Sequence, residues 1–69
     1  MTIHIAKSLT PVRVELASGA VHEGALYLAQ GERLQDMLNA DAPFVPFRLG
    51  SRLLMLGKAR IESVELLPD

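Results

Sequence analysis

His4 and His22 are the only imidazoles in this chain of 69 residues, and cysteine is absent. A structural zinc site takes four nitrogen or sulfur ligands. Two histidines and no thiolate do not supply that set, so neither metal nor cofactor is expected. His22 falls beside Glu23 in an extended stretch and reads as a surface residue. Asp36 is a carboxylate on a short helical segment. No nucleophile or second carboxylate stands beside it in sequence, so no catalytic residue is assigned and no enzyme is expected. Arg33 and Asp36, three apart, form a local ion pair.

Two further groups have types and spacing that suit binding. Arg48 and Arg52 flank one turn, and Lys58 and Arg60 flank the next. Brought together on a small barrel, these four would contact phosphates. Yet Glu62 and Glu65 follow closely, and the net charge is −1. No aromatic platform accompanies the cations, although stacking supplies about 1–3 kcal/mol per base. Nucleic acid is therefore the second reading. Phe44, Pro46 and Phe47 make the other group. Proline has no N–H to donate, which suits an edge strand. An apolar edge can take a strand from a partner. Partner binding through Phe44, Pro46 and Phe47 is the first reading.

The elements that must position these residues are short. Val12, Val14 and Leu16 alternate with Arg13 and Glu15, the period of a half-buried strand. Gly19 suits the left-handed position of a hairpin turn, and Val21–Leu28 returns. Gly24 inside that return predicts a bulge or bend. Leu34, Met37 and Leu38 form one helical stripe, giving a helix over 32–39 with Asn39 as a left-handed cap. At that length it needs docking, and it is placed over an open barrel end. Phe44–Leu49 is a strand with Val45, Phe47 and Leu49 on one face, and Pro46 makes it an edge or bulges it there. Gly50 and Ser51 turn the chain. The apolar run Arg52–Leu56 predicts a strand covered on both faces. A tight turn at Gly57–Lys58 leads to a last strand over 59–67. There Val64 and Leu66 point inward, and register shifts near Ile61. Residues 2–6 are a further candidate strand.

Hydrophobic residues make up 49% and charged residues 22%, a folding composition. A single domain over 1–69 is expected. A chain this short buries only about 60% of its unfolded surface, so a partner is a natural source of stability. No stretch reaches the roughly 20 apolar residues of a membrane helix. The N-terminus lacks a signal-peptide core, and the cysteine-free sequence fits the cytoplasm.

The run VRVELASGAVHEGALYL resembles the first motif of Sm-like proteins, and LMLGKARIESVEL is similar to their second. This resemblance implies a small bent barrel that binds RNA. It departs at Leu56, where Sm-like RNA binders carry Arg or Lys, and in the helix that stands where their Asp/Asn loop would be. The whole chain also resembles a group of small bacterial proteins. These combine G-x-L-x-L (Gly24, Leu26, Leu28), R-L-x-D-x-L-N (Arg33, Leu34, Asp36, Leu38, Asn39) and F-x-P-F (Phe44, Pro46, Phe47). That second resemblance implies no activity. Taken together, these features predict a mainly β, SH3-like or Sm-like bent barrel of about five strands with one short helix. Its expected role is a protein-interaction or adaptor module that self-associates.

Overall fold

A computed structural model describes residues 7–29 and 31–68. The candidate strand at 2–6 and His4 lie outside these residues. Five strands make one antiparallel sheet: β1 (Lys7–Leu16), β2 (Val21–Ala29), β3 (Phe44–Leu49), β4 (Arg52–Gly57) and β5 (Ile61–Leu66). One α-helix, α1 (Leu34–Asn39), joins β2 to β3, and a 3-10 turn (Lys58–Arg60) joins β4 to β5. The strand order is β4-β3-β2-β1-β5. The mainly β class, the five strands and the single short helix are as the sequence predicts, and they suit a small bent barrel.

Alternation sorts each strand into a core side and an outer side. Val12 and Val14 of β1, Leu26 and Leu28 of β2, and Val45 and Phe47 of β3 form the core with Met37 of α1. Leu34 and Leu38 are half-buried against the same cluster, so the helical stripe docks on the sheet. Gly19 takes φ +93° in the β1–β2 turn and Gly50 φ +61° in the β3–β4 turn. A side chain is disfavoured in both conformations.

Several local expectations are corrected. β3 is not an edge, because it lies between β2 and β4. The edge is β4, and its outer face is uncovered: Leu53 and Met55 are more than half exposed. Gly24 makes no bulge, since it pairs in continuous register with Val12. Its role is close approach. A Cβ there would collide with the Arg48 carbonyl oxygen and stand 2.6 Å from the Phe47 ring. Gly57 belongs to β4 rather than to a tight turn. Asn39 is no left-handed cap, because no described non-glycine residue has positive φ. The predicted register shift is present, between Glu15 and Leu16 where they face Ser63 and Ile61.

The hydrogen-bonding phase of each edge follows from single backbone bonds. Lys58 N–H donates to the Pro43 carbonyl (2.8 Å). This contact continues the β3–β4 register. Bonded and non-bonded pairs alternate in an antiparallel ladder. So Val45–Leu56, Phe47–Leu54 and Leu49–Arg52 are the bonded pairs. The backbone groups of Leu53, Met55 and Gly57 point away from β3, toward the open edge. On the other side, Leu67 N–H donates to the Pro11 carbonyl (3.0 Å). By the same alternation Val64 and Leu66 direct their backbone groups to the open edge of β5.

This phase also explains Pro46. It stands opposite Met55 in a non-bonded pair, so the β3–β4 ladder does not miss its N–H. Its β2 side is where a donor would have been needed. There the ladder consists of only Ala25–Arg48 and Leu26–Phe47. Pairing stops where proline has nothing to donate.

Candidate interaction surface

The helix is fixed from both ends. Arg33 N–H donates to Asp36 Oδ2 (3.2 Å), and the Arg33 guanidinium lies 3.5 Å from the same oxygen. At the other end Lys58 Nζ donates to the carbonyls of Met37 (2.6 Å) and Ala40 (2.7 Å). The last carbonyls of a helix need donors and attract cations. Lys58 therefore ties the turn after β4 to the end of α1. The sequence offers Lys58 a phosphate contact only under the second, nucleic-acid reading.

The other basic residues do not converge either. Leu49 faces Arg52 and Arg48 faces Leu53 across β3–β4. Direct partners share a face and neighbours alternate, so Arg48 and Arg52 lie on opposite faces. Lys58 and Arg60 lie beyond the other end of β4. Arg52 and Arg60 are exposed. Arg48 is half-buried, and its Nη1 donates to the Tyr27 hydroxyl (3.1 Å).

Phe44, Pro46 and Phe47 also divide. Phe47 is fully buried in the core, which rules its side chain out as a partner contact. Phe44 and Pro46 are on the outer face, with Phe44 54% exposed beside Gly57. Across the ladder stand Met55 and Leu53, 59% and 57% exposed. These four residues and Tyr27 make an apolar outer face along β3 and β4. Leu53 and Met55 were hidden from the sequence reading because an unbroken apolar run also suits a covered strand.

Comparison with protein families, with curated proteins and with solved structures finds no match. The surface must be read from its own chemistry.

The rest of the outer face is mixed: Leu9 and Val21 are about half exposed there, and a polar triad stands between them. Arg13 of β1 bonds Glu23 of β2 and Glu65 of β5, each at 2.8 Å. The Glu23 carboxylate, then Glu65, raises the Arg13 pKa above its ordinary value. All three groups are exposed to water, so their net contribution to stability is small. The outward positions of three period-two strands were the signal for this triad.

Charge is also divided along the chain. Four of the seven basic residues and none of the eight acidic ones fall between residues 42 and 61. The β3–β4 hairpin and the turn after it are thus cationic. Glu62 and Glu65 mark the β5 side as anionic. A cleft of about 310 Å³ runs beside β5, lined by Leu38, Lys58, Ile61, Glu62, Ser63 and Val64. Among the described residues no trio of His, Asp or Glu is grouped to hold a metal. No described helix is long and apolar enough to cross a membrane.

Proposed function

We propose that this protein is a non-enzymatic interaction module that self-associates through its open strand edges. The observation carrying this reading is the β4 edge. Among the described residues no strand pairs with its backbone groups at Leu53, Met55 and Gly57, and residues 53–56 carry no charge. Protein surfaces ordinarily guard such an edge with lysine, proline or a bulge. The β5 edge is open as well, and its acidic side complements the cationic hairpin. These features favour β4 of one copy joining β5 of the next, head to tail. The cleft beside β5 gives side chains of the arriving strand somewhere to go. Such an interface is heterologous and closes into a ring or runs on as a filament. A cytoplasmic setting belongs to the same proposal and rests on the cysteine-free sequence.

Two proline variants test it by light scattering after size exclusion. Met55→Pro removes an edge donor from β4, and Leu66→Pro removes one from β5. Neither breaks a bond to the neighbouring strand. Each variant alone is expected to be a folded monomer. Mixed, they are expected to form a one-to-one dimer, because one keeps β5 and the other keeps β4. A wild-type chain that stays monomeric at high concentration would refute self-association.

RNA binding is the second reading, favoured by the acid-free stretch 42–61. Its four cations are dispersed, and Lys58 is engaged on the helix. A salt-sensitive mobility shift with RNA, lost in Arg52→Gln and Arg60→Gln, would promote it.

A further inference from the structure

Arg13 and Arg48 stand on the same outer face of the sheet and have opposite surroundings. Arg13 has a carboxylate on each side, from Glu23 and Glu65. Arg48 has none. Its register neighbours are Ala25 on β2 and Leu53 on β4. Pro46 is two residues back on the same face. Among the described residues the Arg48 side chain donates to the Tyr27 hydroxyl. Leu53 stands directly opposite half-buried Arg48, and Met55 and then Phe44 follow along the same face as exposed apolar groups.

A guanidinium has five N–H donors in a planar fork that matches a carboxylate. Held in apolar surroundings, it gains more from such a partner than an exposed cation does. Tyr27 takes one donor and steers the group without neutralising it. An apolar surface with one cation at its turn end complements an acidic residue that has apolar neighbours. No acidic residue of the hairpin competes, since none occurs between 42 and 61.

We propose that Arg48 anchors a carboxylate from a partner polypeptide whose flanking apolar side chains cover Phe44, Leu53 and Met55. The partner is an acidic, apolar segment of another protein. This surface is a face of the sheet, distinct from the edges assigned to self-association, and the inference does not rest on that assignment.

The probe is the peptide acetyl-Phe-Glu-Leu-Glu-Phe-amide, compared with its Gln-for-Glu counterpart. It is titrated into isotope-labelled protein while the Arg48 Nε–Hε resonance is followed by NMR. The expected result is a saturable shift of that resonance and of the Leu53 and Met55 amides. The Gln peptide is expected to bind at least about tenfold more weakly, as loss of a charge-assisted pair implies. Arg48→Gln is expected to abolish binding. Arg48→Lys retains charge without the fork and is expected to recover only part of it. Arg13→Gln is expected to change nothing. The Glu-against-Gln comparison uses the wild-type chain, so it decides the matter even where a variant folds poorly. No saturable shift up to millimolar peptide would overturn the proposal, as would equal binding of the two peptides. An Arg48 resonance that moves with protein concentration alone would assign the face to a second copy and overturn it too.

Discussion

Gly24 and Lys58 show how single residues fix this small molecule. Gly24 lacks a Cβ because the Phe47 ring and the Arg48 carbonyl occupy that space. Gly24→Ala is expected to destabilise the fold by about 1–3 kcal/mol, as overpacking does, measured by urea unfolding. The sequence marks Gly24 as special, as a bulge or a bend, and the register excludes the bulge. The residue that demands its absence of side chain, Phe47, is distant in the chain. Lys58 was misread for the same reason. Beside Arg60 it resembles one member of a basic pair, whereas its ammonium caps α1 from 18 residues away. Lys58→Met is expected to cost about 1 kcal/mol, the order of a charged contact at a helix C-terminus. The loss is expected to appear as fraying at Met37–Ala40 in amide exchange.

At the scale of elements, period and turn chemistry were legible. The alternation Val12, Val14, Leu16, the turn at Gly19 and the stripe Leu34, Met37, Leu38 each predicted the element found. Neighbour relations were not legible. Pro46 reads as the mark of an edge or a bulge, but its missing donor faces a stretch of β2 that has no ladder there. The true edge, β4, looked like an interior strand because Leu53–Leu56 is unbroken and apolar. An edge and an interior strand differ by what lies beside them, and alternation within one strand does not record that. The candidate surface was therefore half visible: Phe44 and Pro46 lie on it, while Phe47 lies beneath it and Met55 was not singled out. The paired variants Met55→Pro and Leu66→Pro belong to this scale, since each alters one edge and leaves the neighbouring ladder intact.

At the scale of the whole molecule, charge and hydrogen bonding divide the chain in the same place. The cationic hairpin of β3 and β4 stands against an acidic remainder, which gives each copy two unlike ends. Association that depends on those ends is expected to weaken as ionic strength rises. The Arg48 face would also lose affinity in salt, but by a term that vanishes in the Gln peptide. The short β2–β3 ladder has a consequence of another kind. With only Ala25–Arg48 and Leu26–Phe47 in register, the hairpin is latched to the other strands largely through core side chains, Val45 and the Phe47 ring seated over Gly24. Local opening follows the weakest set of contacts. Hydrogen–deuterium exchange is expected to resolve two units. The bonded amides of Val45, Phe47 and Leu54 should exchange together and sooner than those of Val12 and Val14. Release of that latch would bare Val45 and Phe47 together, so opening of the hairpin and exposure of the core are one event.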